Sequence, residues 1–446
     1  MSAELRKLWE HAGGQLPDDW TIVSLESLLR DSKSIAVGVM YPGPDTPGGT
    51  PLLKVGDIKD GAAVRPSYCI SPATDEEHRR SKLIGDELLI TLVGNPGECV
   101  VVTPAMAGWN PARAIAVIRL QDTSLRTYLK TVLESTAGRH LIDAVLNTTV
   151  QKTLNLKDIR KLPIPLPTDA EIKWISGISE ALTSRIALLR ETNATLEAIA
   201  QALFKSWFVD FDPVHAKMEG RIPEGMDEDT ARLFPDALEE SELGLVPRGW
   251  RVGTLEDLSD LNPESWSAKN HPDTVAYIDL ANAKDNEIAS VTAFAFDDAP
   301  SRARRVLRTG DTIVGTVRPG NRSFAFIHEP ASNLTASTGF AVLRPSVAAN
   351  TEFVYLAATQ DTSIEHLAHV ADGGAYPAVR PDVVSGLQCV VPDNYVLETF
   401  HAAAAPLLAK IADNQKQTQT LATLRATLLP RLISGQLRLP EAKRTA

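Results

Sequence analysis

The sequence predicts an α+β protein of two tandem, pseudo-symmetric globules, each followed by a long helix, with the two helices pairing as an antiparallel coiled coil. Three observations carry this. Apolar residues recur at seven-residue spacing through 168–208, landmarks return about 225 residues later, and short β-like runs between turn residues precede each helical stretch.

The first long helix opens on a capping box, Thr168-Asp169-Ala170-Glu171, directly after Pro167. Its seam reads Ile175, Leu182, Leu189, Leu196 and Leu203, thickened by Ile178, Ile186 and Ile199. At ~1.5 Å per residue such a rod is roughly 60 Å long, too long to bury without a partner helix. The same chain supplies one: shifting by 225 places Leu407, Ile411, Leu421 and Leu428 at the positions of Leu182, Ile186, Leu196 and Leu203, and Pro392 at that of Pro167. The second helix starts at Asp393 and stops at Ser434-Gly435, where glycine supplies a left-handed C′ residue. Pro406 and Pro430 fall inside it and are expected to kink or interrupt it.

Each globule opens on a tryptophan turn, Pro17-Asp18-Asp19-Trp20 and Pro247-Arg248-Gly249-Trp250, whose Trp is expected to anchor the entrance by packing. Strand-like runs follow at 52–55, 87–93, 99–103 and 114–120, and again at 275–280, 312–317, 323–328 and 340–343. Helical segments near 125–146 and 352–370 come next. The expected boundaries are an N-terminal segment 1–15, globules 16–167 and 246–392, long helices 168–208 and 393–435, a linker 209–245 and a tail 436–446.

The net charge of −11 is local. Eleven acidic residues against three basic ones give 209–245 a net of −8, leaving −3 for the rest, so the global charge does not argue against an anionic partner. Cys69, Cys99 and Cys389 are scattered, which fits a reducing cytoplasm rather than a disulfide framework or a zinc site. Residues 1–14 are polar without an apolar core, and no apolar run approaches the roughly 18 residues of a bilayer span.

Catalytic signatures fail one by one. There is no phosphate loop, no G-x-G-x-x-G, and no Asp/Asn-Pro-Pro-aromatic tetrad of an adenine methyltransferase. His366 and His369 lack further ligands. Asp45 with Asp57-Ile58-Lys59 mimics a metal-nuclease spacing, yet in the repeat Lys59 and Asp60 match Lys284 and Asp285 while Asp57 meets Asn282. No catalytic and no metal-ligating residue is predicted.

The candidates for DNA contact are basic clusters at matching places: Arg79, Arg80 and Lys82 in the first half, Arg302, Arg304, Arg305 and Arg308 in the second. Loops after the following strands carry Asn95, and Arg318, Asn321 and Arg322. The matching turns Asn147-Thr148-Thr149 and Asp372-Gly373-Gly374 bring Lys152, Tyr376 and Arg380. Arginine and lysine neutralise phosphates, and arginine and asparagine carry the paired groups that read guanine and adenine edges. Two other classes stay open here: a self-contained nuclease or methyltransferase on this scaffold, and a scaffold that binds only proteins.

Several runs resemble one family. These are Ser206-Trp207-Phe208-Val209-Asp210-Phe211-Asp212-Pro213, Pro223-Glu224-Gly225-Met226, Leu233-Phe234-Pro235-Asp236, Glu242-Leu243-Gly244, Pro247-Arg248-Gly249-Trp250 and the ending Leu428-Leu429-Pro430-Arg431-Leu432-Ile433-Ser434-Gly435. From Leu16 to Pro440 the chain resembles the DNA specificity subunits of type I restriction–modification systems. The resemblance implies two target recognition domains on a coiled-coil spacer, each reading one half of a split site in double-stranded DNA, with no catalysis or cofactor on this chain. It implies as partners two modification subunits, which methylate adenine with S-adenosylmethionine, and restriction subunits that use ATP and Mg²⁺. The apolar residues Trp207 and Phe208 are either a docking place for a modification subunit or closure of the helix pair.

Overall fold

The computed structural model describes residues 2–59, 61–147, 152–374 and 376–439. Asp60, the Thr148-Thr149 part of the predicted turn, and Met1 and 440–446 of the predicted terminal segments lie outside them. The chain forms two compact units, one from the described residues of 1–187 and 419–446, the other from 188–418.

All eight strand-like runs become strands, and the two units repeat one topology. In the first unit an antiparallel sheet runs in the order Ile35–Val37, Ile115–Ile118, Leu88–Thr91, Cys99–Val101. In the second the order is Ser259–Leu261, Phe340–Pro345, Thr312–Gly315, Phe324–Phe326. Its middle strands are buried on both faces, which is why they read as continuous apolar runs. The entrance strand pairs with the strand that leads into the long helix, Thr21–Ser24 with Pro163–Leu166 and Arg251–Thr254 with Gln388–Val391. A parallel pair also recurs, Thr50–Leu53 with Asn110–Pro111 and Thr274–Ile278 with Leu334–Ser337. Two consecutive helices close each core, Arg126–Glu134 and Thr136–Ala144, then Thr351–Thr359 and Asp361–Val370. Trp20 and Trp250 are 3% and 4% exposed, so both entrances are anchored by packing as expected.

The long helices span Asp169–Phe208 and Asn394–Ile433, 40 residues each. The first opens on the predicted box, with Thr168 N donating to Glu171 Oε2 and Glu171 N to Thr168 Oγ1, both at 3.3 Å. The second stops at Gly435, whose φ of +67° is the expected left-handed turn. A β-carbon there would lie 2.3 Å from Pro17 Cγ, so two constraints select glycine.

The pairing is antiparallel in the second unit. Asn414 Nδ2 donates to Asn193 Oδ1 at 2.8 Å, while Trp207 and Phe208 lie 5.6 and 4.9 Å from Phe400, so numbers rise along one helix as they fall along the other. The first unit follows the same sense: Ile172 and Ile175 share a core with Leu432 and Ile433, and Ser179 and Thr183 line one cleft with Ala422, Arg425, Ala426 and Leu429. Ile186, Leu189 and Ile411 are buried, and Leu182, Leu196, Leu203, Leu407, Leu421 and Leu428 are half-buried. Ile199 departs from expectation and is 49% exposed, because Ala200 and Phe204 take the inward positions in its turn. The Asn193–Asn414 pair is a polar contact inside an apolar seam, the kind of feature that penalises slipped registers.

Two expectations are corrected. Pro406 and Pro430 do not interrupt the second helix. Each removes one backbone hydrogen bond, but buried residues on both sides, Ala404 with Leu408 and Ile411, then the half-buried Leu428 and Leu429 with the buried Leu432 and Ile433, hold the helical path. The stretch 209–245 is no open linker: it forms helices Asp212–Met218 and Glu228–Leu233 and a hairpin of Leu238–Ser241 with Gly244–Pro247. Its acidic residues face outward while Phe211, Val214 and Phe234 enter the core of the second unit.

One half-buried carboxylate of that unit ties several of its elements together. Glu197 accepts from Tyr355 Oη at 2.6 Å and from Asn286 Nδ2 at 3.0 Å, and Gln415 Nε2 donates to the Asn286 carbonyl at 2.6 Å. Asn286 sits with Asp285 in a two-residue turn, both left-handed, between Ala283–Lys284 and Glu287–Ile288. Burial holds the Glu197 carboxyl above its ordinary value of 4.5. A raised carboxyl contributes stability that is complete below the ordinary value and lost as pH rises through the raised one. Glu197→Gln abolishes this titration, so its melting temperature relative to wild type is expected to improve steadily from pH 4.5 to pH 7. A difference that stays flat with pH would show that the carboxylate is not perturbed.

Candidate nucleic-acid interface

Each sheet sends out one loop, between Leu88–Thr91 and Cys99–Val101 in the first unit and between Thr312–Gly315 and Phe324–Phe326 in the second. Each loop is zipped to a segment that follows the second helix of its unit. Leu154 N donates to the Leu92 carbonyl and Val379 N to that of Thr316, both at 2.9 Å. Isolated bridges Val93–Thr153 and Asn147–Thr153 recur as Val317–Ala378 and Asp372–Ala378. The structure thereby brings together candidates that are distant in sequence: Asn95 with the segment of Lys152, and Arg318, Asn321 and Arg322 with the segment of Tyr376 and Arg380.

Most of these residues are exposed, Arg322 is half-buried, and several have defined partners. Asn95 Nδ2 donates to Glu98 at 3.2 Å and lines a polar cleft of about 440 Å³ with Lys130, Glu134, Arg139 and Arg425. Lys152 and Asn321 are exposed. Arg318 lies over the ring of Tyr376, 4.9 Å from its centroid, and Tyr376 is 73% exposed. Arg322 donates to Asp361 at 2.7 Å and also to Asp285, while Arg380 pairs with Asp382 at 2.8 Å.

The basic clusters ahead of the strands match in sequence but not in structure. Arg79 and Arg80 occupy a turn after helix Pro72–Glu77, where Arg79 pairs with Glu76, Arg80 donates to the Lys33 carbonyl and Lys82 pairs with Asp75. Arg304 and Arg305 instead lie on strand Ala303–Val306. Arg302 donates to Tyr277 Oη and Asp279, Arg304 stacks on Phe296, and Arg308 pairs with Glu264. Arg305 is half-buried, its Nε finds no acceptor, and burial pulls its pKa below the ordinary arginine value.

Of the two readings left open for Trp207 and Phe208, their burial favours closure of the helix pair. They are 6% and 4% exposed and sit in an aromatic cluster with Phe204, Phe234, Trp250, Phe353 and Phe400, so they close the helix pair onto the core of the second unit. The nuclease-like carboxylates hold backbone amides: Asp57 accepts locally from Lys54 N and Asp45 from the distant Cys69 N, both at 2.8 Å. His366 and His369 are exposed on their helix. Among the described residues no group of three or more His, Cys, Asp or Glu is placed to hold a metal, and no helix is long and apolar enough to cross a membrane.

These features define a duplicated α+β protein whose two units carry equivalent paired loops and are each closed by segments of two long antiparallel helices. Known proteins of that class are similar to it. The chain is 24% identical over 355 residues to the specificity subunit of the type I restriction enzyme HindI of Haemophilus influenzae, across 70% of this chain and 74% of that one. It is 24% identical over 291 residues to the MjaIX specificity subunit of Methanocaldococcus jannaschii, across 64% of this chain and 62% of that one. The crystal structure of the type I restriction-modification system S subunit from M. genitalium has the same fold, with a TM-score of 0.52 at 15% identity over 94% of this chain and 97% of that one. No protein-family model matches. The chain is thus similar in sequence to type I restriction enzyme specificity subunits and similar in fold to an S subunit.

Proposed function

We propose that this chain is the non-catalytic DNA-reading subunit of a type I restriction–modification complex, and that each of its two units reads one half of a split site. The observation that carries this is the repetition of the paired loops, with asparagine and lysine on one copy and arginine, asparagine and tyrosine on the other. Such side chains suit base edges and phosphates, and a duplicated reader suits a two-part duplex target. The relatives, which are specificity subunits, support the same reading. On this proposal the target recognition domains occupy 16–167 and 246–392, and the long helices are the spacer. Two modification subunits bring S-adenosylmethionine, restriction subunits bring ATP and Mg²⁺, and the complex works in the cytoplasm.

The test is a methylome of cells that co-express the chain with its modification subunit. N6-methyladenine in one split motif is the expected result, and it yields both half-sites and their gap. Absence of methylation despite a stable complex of the two proteins would overturn the proposal.

A further inference from the structure

The two paired loops share a backbone and differ in what they mount on it. Each passes through two left-handed residues: Gly94 (φ +86°) and Gly97 (φ +90°) in the first unit, Arg318 (φ +49°) and Arg322 (φ +60°) in the second. Hydrogen bonds on both sides fix the equivalence. Leu92 and Thr316 take matching partners on the way out, and Thr91 N to Glu98 O and Gly315 N to Ser323 O, at 2.9 and 2.7 Å, close the return. The second loop is one residue longer, 318–322 against 94–97.

Glycine enters the left-handed region freely, whereas a residue with a β-carbon enters it under strain, and arginine lacks the short polar side chain that eases this for asparagine and aspartate. Two arginines therefore stand where the same backbone elsewhere in the chain uses two glycines. Local stability does not select them, and strain retained at a surface loop points to use.

Their surroundings differ: the Arg322 side chain is half-buried. Arg322 is braced between the Asp285 and Asp361 carboxylates. Arg318 is exposed, its amide donates to the Pro377 carbonyl at 2.7 Å, and its guanidinium rests on Tyr376. We propose that Arg318, stacked on Tyr376, is the base-reading group of the second unit and that it reads a guanine. A guanidinium offers two parallel N–H donors that match O6 and N7 of guanine in the major groove, and the ring beneath it restricts its rotamers before binding. This rests on the DNA-reading function proposed above.

The test uses the full chain in complex with its modification subunit. The wild-type methylome defines the motif. Duplexes with that motif and each single-base change are then compared for wild type, Arg318→Gly, Arg318→Lys and Tyr376→Ala. Arg318→Gly is expected to melt no lower than wild type and to lose about ten- to hundredfold discrimination at one G·C pair of one half-site, with the other half-site unchanged. Arg318→Lys keeps the charge without the fork and is expected to lose the same discrimination, and Tyr376→Ala part of it. Uniform weakening on every duplex with an unchanged motif would make Arg318 a phosphate contact and overturn the proposal. So would a drop in melting temperature for Arg318→Gly, or a motif without a G·C pair that responds. A wild-type complex that methylates no split motif would end the DNA-reading function and this proposal together. That failure is distinct from a wild type that reads its motif beside an Arg318→Gly that reads the same one.

Discussion

Replacing Phe208 by alanine is expected to cost the second unit about 3–5 kcal/mol, the range for truncating a large buried aromatic. Phe208 meets Phe353 at 5.0 Å, Phe400 at 4.9 Å and Phe204 at 5.4 Å, with Trp207 and Trp250 each at 6.0 Å. These rings come from the first long helix, the second long helix, the entrance turn and a core helix, so the cavity would open where four elements meet and could not collapse onto one neighbour. Urea unfolding of the purified chain measures the loss. A shift below about 1 kcal/mol, accompanied by lost binding of a modification subunit, would restore the docking role that the sequence left open.

The seam of the long helices, the capping box of the first, the glycine stop of the second and the entrance tryptophans were legible because each depends on local spacing. The 225-residue offset exposed the duplication because both copies keep one strand order. Less visible was any residue whose role depends on a distant partner. Asn193 and Asn414 look like ordinary polar positions until the helices pair. Glu197 reads as a solvent-facing helix residue until Tyr355 and Asn286 close over it. The segment 209–245 misled through its charge, since a few apolar residues at the right spacing suffice to dock two short helices. Among the candidate contacts, sequence matching linked Arg79 and Arg80 to Arg304 and Arg305, yet a helix in one unit and a strand in the other precede the same sheet. The loop candidates fared differently because the bridges that pair their segments recur in both units.

Replacing Arg344 by methionine is expected to destabilise the second unit by about 3–5 kcal/mol, because it strands a buried charge. Asp311 is fully buried, and Arg344 holds it through Nε at 2.8 Å and Nη2 at 2.9 Å. Among the described residues, the carboxylate without Arg344 keeps just the Arg308 amide at 2.7 Å. Burial already holds Asp311 above its ordinary value of 3.8 against the pull of Arg344, and removing that pull raises it further. A group raised in the folded state loses its contribution as pH rises, so the deficit of the variant should widen from pH 4.5 to pH 7. The double variant Asp311→Leu/Arg344→Met should recover most of the loss, since replacing both partners by apolar groups removes the stranded charge. The first unit holds the counterpart, Arg119 Nη2 on Glu87 Oε1 at 3.1 Å. There Glu87 also accepts from the amides of Ile84, Gly85 and Asp86, so Arg119→Met leaves a carboxylate still held by three donors and should cost less. Equal losses in the two units by urea unfolding would mean that the arginine side chains act through packing, not through the charge they neutralise.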